Sequence, residues 1–103
     1  MSQSDGGHEK YVGPVIRGFD ADVADAVIAA IEQDNPGREV LVDDQGGYIR
    51  VSMARECRLT RASLIDVMGR QFALSELEPS LSGFAGRMRS DENEIVWYLE
   101  RED

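Results

Sequence analysis

The chain has 103 residues, the length of one domain, and its 11 Lys and Arg against 20 Asp and Glu leave a formal net charge of −9. Such a chain is repelled by phosphate backbones and anionic lipid surfaces, which argues against a nucleic-acid or membrane partner. Its apolar runs fall far short of the ~20 residues that cross a bilayer, and its single cysteine, Cys57, precludes an internal disulfide and fits a reducing cytoplasm.

Residues 1–10 carry no apolar side chain after Met1 and two adjacent glycines. They read as a flexible tail with no secretory h-region, and the lone histidine, His8, as a solvated tail residue. Order is expected to begin at Tyr11, with a short strand over Val12 to Arg17. Pro14, which has no N–H for a ladder, points to an edge position for that strand. Asp20 and Asp22 are both candidate N-caps for a helix whose apolar stripe is Val23, Ala24, Val27, Ile28 and Ile31. The helix should stop near Asp34, where Asn35-Pro36-Gly37 forms a turn.

A hairpin follows. Glu39 to Asp43 forms one arm, Asp44-Gln45-Gly46-Gly47 the turn, and Tyr48 to Ala54 the other arm. Ile49, Val51 and Met53 alternate there with Tyr48, Arg50 and Ser52. Cys57 to Leu59 is a brief extended piece before Thr60, the N-cap of a second helix carrying Ala62, Leu64, Ile65 and Met68, with Gly69 as its C-terminal stop. Phe72 plugs the core, Ser75 caps one more helical turn, and Pro79 closes it. Ser80 to Gly86 reads as a small-residue loop. The last hairpin runs from Arg87 to Arg89, through the turn Ser90-Asp91-Glu92-Asn93, to Ile95–Leu99, before a frayed end over residues 101–103. The order βαββαββ predicts an α/β (α+β) two-layer sandwich over residues 11–100, with two helices covering a mixed or antiparallel sheet.

The catalytic inventory is poor. One histidine in the tail cannot supply a Ser-His-Asp or Cys-His site, and His8 with Cys57 does not make a zinc site. Cys57 is either a small buried thiol or a reactive one activated by Arg55 and Arg58. The carboxylates mark a helix start (Asp20, Asp22, Asp25) and two turns (Asp43, Asp44; Asp91, Glu92, Glu94). None lies in an apolar run that would raise its pKa, and no EF-hand spacing is present. Gly83-Phe84-Ala85-Gly86 lacks the Lys-Ser/Thr ending of a phosphate loop. What remains is an acidic interaction module. Trp97 shares a strand face with Ile95 and Leu99 and belongs to the core, whereas Phe84, between small residues, is the better interface anchor.

Three stretches carry a family resemblance: Val12-Gly13-Pro14-Val15-Ile16-Arg17, Asp34-Asn35-Pro36-Gly37-Arg38-Glu39, and the run from Leu59 to Gly86. In order and spacing they resemble the effector (coupling or regulatory) proteins of bacterial multicomponent diiron monooxygenases, above all the toluene and alkene branch. The resemblance implies a cytoplasmic subunit without cofactor or metal of its own, monomeric when free. It would bind the hydroxylase component, whose diiron centre does the chemistry, and tune active-site access, oxygen activation, regiospecificity and electron coupling. Competition with the ferredoxin or reductase component is part of the same expectation. The hydroxylase-facing segment of the family matches Ser80, Leu81, Ser82, Gly83 and Phe84, with Ala85 and Gly86 leading out, and a second recurrent loop matches Asn35, Pro36 and Gly37. This chain reads Pro79-Ser80-Leu81 where Ile-Asn-Leu/Val is commoner, which puts a hydroxyl in place of an amide. A small-molecule-binding regulatory domain of similar architecture is the alternative; it needs a pocket with convergent polar groups, for which the sequence offers no obvious set.

Overall fold

The computed structural model describes residues 10–18 and 21–99. Residues 1–9 of the expected tail, the frayed end and the N-cap at Asp20 lie outside them. The elements are β1 (Tyr11–Arg17), α1 (Ala21–Asp34), β2 (Leu41–Asp44), β3 (Tyr48–Ala54), β4 (Glu56–Thr60), α2 (Arg61–Met68), a 3-10 helix (Leu74–Ser80), β5 (Leu81–Ala85), β6 (Arg87–Ser90) and β7 (Glu94–Tyr98). The α+β two-layer class is as expected. Two further strands, β4 and β5, appear, and the strands divide into two antiparallel sheets, β2-β3-β1-β5 and β4-β7-β6.

Local chemistry accounts for most of the boundaries. Thr60 Oγ1 accepts the Ser63 N–H at 3.2 Å, and Gly69, at φ 73°, returns its N–H to Ile65 O at 2.8 Å, so α2 is capped at both ends. In the β6–β7 turn, Asp91 Oδ1 accepts the N–H groups of Asn93 and Glu94 at 2.8 and 3.0 Å. In the β2–β3 turn, Asp44 Oδ1 accepts the Gly46 N–H at 2.9 Å. These short polar side chains satisfy turn donors that no ladder reaches.

Two expectations are corrected. Ser75 does not cap a turn. The 3-10 helix starts one residue earlier, Glu76 Oε2 accepts the Ala73 N–H at 2.9 Å, and Pro79 lies inside the helix. Nor is β1 an edge strand: it lies between β3 and β5. Its pairing with β3 lapses at Gly13 and Pro14 and resumes at Val15, so the missing proline donor falls in a break of the ladder.

The core forms where one face of each sheet meets the helices. Val12, Ile16, Ile49, Val51 and Met53 come from the larger sheet, and Cys57, Leu59, Ile95 and Trp97 from the smaller. Ala24, Val27, Ala30 and Ile31 of α1 and Leu64 of α2 close over them, with Phe72 and Leu77 beneath the 3-10 helix. Trp97 is fully buried, as its strand face predicts. The chain passes between sheets at two points with left-handed backbone, Arg55 (φ 73°) and Gly86 (φ 92°). At the first, the Arg38 guanidinium donates to the carbonyls of Ala54 and Glu56, one on each side of the bend. At the second only glycine fits: a Cβ on residue 86 would stand 2.5 Å from Val12 Cγ1 and 2.9 Å from Tyr98 O.

Candidate partner-binding surface

Within the segment singled out from the sequence, Ser80 to Gly86, residues Leu81–Ala85 are strand rather than loop, with Ser80 ending the 3-10 helix and Gly86 at the bend into β6. Its β5 portion pairs with β1 along the free edge of the larger sheet, with Gly13 opposite Ala85, Pro14 opposite Phe84 and Val15 opposite Gly83. Composition hid this, because serine, glycine and alanine are weak strand formers. Pairing with an already ordered central strand supplies what propensity lacks.

The seven positions then take different roles. Ser80 is buried, and Leu81, Gly83 and Ala85 are half-buried. Ser82 is exposed, and its hydroxyl reaches Val15 O at 3.4 Å. Phe84 keeps 46% of its surface exposed, an unusual state for a phenylalanine in a paired strand. A Cβ on residue 83 would meet no atom within 4 Å, so the space over Gly83 is open. The outer face of β5 is therefore Ser82 and Phe84, whereas Leu81, Gly83 and Ala85 alternate onto its inner side, with the space over Gly83 open, and Ser80 and Gly86 serve the fold.

The second segment divides similarly. Asn35 is buried: its Nδ2 donates to Ile31 O at 2.7 Å and to Arg58 O at 2.8 Å, and its Oδ1 accepts the Arg58 N–H at 3.4 Å. The amide clasps the end of α1 to β4, leaving Pro36 and Gly37 at the surface. Asp34 beside it accepts from Thr60 N–H at 2.7 Å, Thr60 Oγ1 at 2.9 Å and Ser63 Oγ at 2.7 Å, so consecutive residues lock α1 onto β4 and α2. The two candidate segments thus rest on different sheets.

Cys57 is fully buried opposite Trp97, and burial pushes its thiol up to about 12, against the lowering effect of the Arg38 guanidinium. Arg55 and Arg58 do not activate it. This is a packed thiol rather than a nucleophile. Among the described residues, no three His, Cys, Asp or Glu side chains come together in a metal-binding group, and no helix is long and apolar enough to cross a membrane.

Sequence reasoning missed Met88, which is 41% exposed on β6, and Tyr11 and Leu41, exposed on the larger sheet. The alternation in β3 did separate Tyr48, Arg50 and Ser52 from the buried face. Tyr48 is exposed, with the Arg50 guanidinium 5.8 Å from its ring centre.

The sequence model of the MmoB/DmpM family matches residues 10–98. The chain belongs to that family. It is 51% identical over 90 residues to the effector subunit of the alkene monooxygenase system of Xanthobacter autotrophicus (strain ATCC BAA-1158 / Py2), covering 87% of each chain. Its fold is similar to that of a chain in a phenol hydroxylase–regulatory protein complex, with TM-score 0.75, 19% identity and coverage of 88% of this chain and all of that one. It is similar too to the soluble methane monooxygenase regulatory protein B, with TM-score 0.63, 22% identity and coverage of 96% of this chain and 71% of that one. The chain is an effector, the regulatory rather than the catalytic component of a multicomponent monooxygenase.

Proposed function

We propose that this effector binds the hydroxylase component of a bacterial diiron monooxygenase acting on alkenes, through the β5 surface centred on Gly83 and Phe84. The observation that carries the reading is an exposed phenylalanine beside an open glycine on a sheet edge. Bare backbone at Gly83 lets a partner helix approach closely, and the Phe84 ring supplies an anchor. The similarity to an alkene monooxygenase effector favours alkene epoxidation over aromatic hydroxylation, although substrate choice belongs to the hydroxylase pocket. Pro36 and Gly37 form a second contact, and the diiron centre stays in the partner.

The mechanism is linkage. The effector changes the hydroxylase only by binding one of its conformations better than the other, and the coupling is reciprocal. Moving a 1:99 equilibrium to 99:1 takes about 5.5 kcal/mol of differential affinity. An interface of roughly 800 Å² per partner with a few good anchors supplies that much. The favoured conformation is the one in which access to the irons, oxygen activation and electron delivery are matched. Less reducing power is then lost as peroxide.

The test is epoxide formation by the cognate hydroxylase with its electron donors while the effector is titrated. The reading expects a rise that saturates near one effector per active site, with peroxide falling in step. A flat response to folded effector refutes it. Phe84→Ala and Gly83→Trp should each shift the titration to higher concentration; unchanged curves in both remove β5 from the interface.

A further inference from the structure

Beside β5 the inner side of the molecule is open. Strand β6 is exposed along its length, although Met88 stands opposite the fully buried Trp97 and so shares the core-facing side of the smaller sheet. There a groove of about 490 Å³ runs between the 3-10 helix and the β6–β7 hairpin. Its floor is apolar, made by the buried Leu74 and Ile95, with Leu81 and Met88 as walls. Its mouth is acidic: Glu78, Asp91 and Glu92 face a single guanidinium, that of Arg61, whose Nε is engaged by Phe72 O at 3.1 Å. An apolar slot with a carboxylate rim suits an aliphatic or aromatic side chain flanked by lysine or arginine. A second copy of this chain, itself at −9, would bring further negative charge to that rim and is the wrong partner. Leu81 is both a wall of the groove and the first residue of β5, so the slot adjoins the inner side of that edge strand.

We propose that this groove is the anchor site for a basic segment of the hydroxylase. One apolar side chain seats against Met88, Leu81 and Ile95, and a neighbouring Lys or Arg pairs with Glu78 and Glu92. The inference rests on the hydroxylase reading above and adds to it a second, charge-selective contact. The slot makes the complex selective for a partner with basic residues around its anchor, whereas β5 alone would accept any apolar helix face.

The test is equilibrium binding of the full chain to its cognate hydroxylase at low and physiological ionic strength. Three variants are compared with the wild type: Met88→Glu, the charge-reversal pair Glu78→Lys/Glu92→Lys, and a control pair on the exposed face of α1, Asp25→Lys/Glu32→Lys, which makes the same change in net charge. All sites are exposed, and native folding is checked by Trp97 fluorescence. We expect Met88→Glu and Glu78→Lys/Glu92→Lys each to raise Kd by about tenfold or more, with Met88→Leu close to wild type. The control pair should raise it by no more than about threefold, and the gap between the two pairs should narrow as salt screens the rim. Wild-type affinity in either groove variant, or equal weakening in the control, overturns the groove while leaving the hydroxylase reading in place. Failure of the wild-type chain to bind overturns both.

Discussion

Two glycines three residues apart in one segment answer to different forces, and alanine at each separates them. Gly86 sits at φ 92°, where a side chain costs about 1–2 kcal/mol in backbone energy. Its new Cβ would also lie 2.5 Å from Val12 Cγ1 and 2.9 Å from Tyr98 O. One is a core side chain and the other backbone of the adjoining sheet, so relief requires the two sheets to separate, a strain of about 1–3 kcal/mol. Together the loss is about 3 kcal/mol, out of the 5–15 kcal/mol typical of a domain. It would lower the melting temperature by roughly 15 °C, since each kcal/mol shifts a domain of this length by about 4–8 °C. Gly83 has no positive φ and no atom within 4 Å of its added Cβ, so Gly83→Ala should stay within about 0.5 kcal/mol of wild type. Urea unfolding followed by the fluorescence of Trp97, the single tryptophan, measures both. A Gly86→Ala midpoint equal to wild type, or a comparable loss in Gly83→Ala, would refute this division of the segment into a glycine the fold requires and one it does not.

Other consequences follow from the core and the charge. Asn35→Ala strands the Arg58 N–H and carbonyl in a part-buried site, while Ile31 O keeps the backbone N–H of residue 35, and should cost about 2–3 kcal/mol by the same assay. The folded Cys57 thiol holds its proton to about 12, whereas an unfolded one ionises near its ordinary value of 9.0. Between those values the unfolded state binds fewer protons, so this residue's contribution to stability is intact below pH 9 and declines as pH rises, with a slope approaching ~1.4 kcal/mol per pH unit. Cys57→Ala should flatten that part of the stability profile measured from pH 8 to 10.5; an unchanged slope would show that the thiol is not buried. Finally, the association rate with hydroxylase should fall as salt rises from 50 to 300 mM, because a chain at −9 is steered to its partner by long-range charge; stopped-flow mixing reads this directly.

Much of this protein could be read without tertiary information, and the legible parts share a cause. The Thr60 cap, the Gly69 stop, the two hairpin turns and the alternation of Ile49, Val51 and Met53 depend on residues within a few positions of one another, so the residue types announce the geometry. The burial of Trp97 and Phe72 followed from the same local patterns. The family resemblance extended that reading to an effector role, because the motifs Val12–Arg17, Asp34–Glu39 and Leu59–Gly86 keep their order and spacing along the chain.

What only the folded chain decided depends on partners distant in sequence. Pro14 looked like an edge marker, yet β1 is central, because the ladder to β3 lapses at Gly13 and Pro14 while β5 pairs along its other side. Ser80 to Gly86 looked like a loop because its residues have little strand propensity, and Leu81–Ala85 within it became a strand because β1 offered an unpaired edge. Asn35 looked available to a partner, but the carbonyl and N–H of Arg58, brought alongside by the packing of α1 on β4, draw its amide into the interior. The slot beside Met88 exists because the 3-10 helix and the β6–β7 hairpin converge without filling the space between them. Sequence settled the helices, the hairpins and their turns through short-range hydrogen bonds and periodicity. Long-range pairing decided which of their surfaces were left exposed.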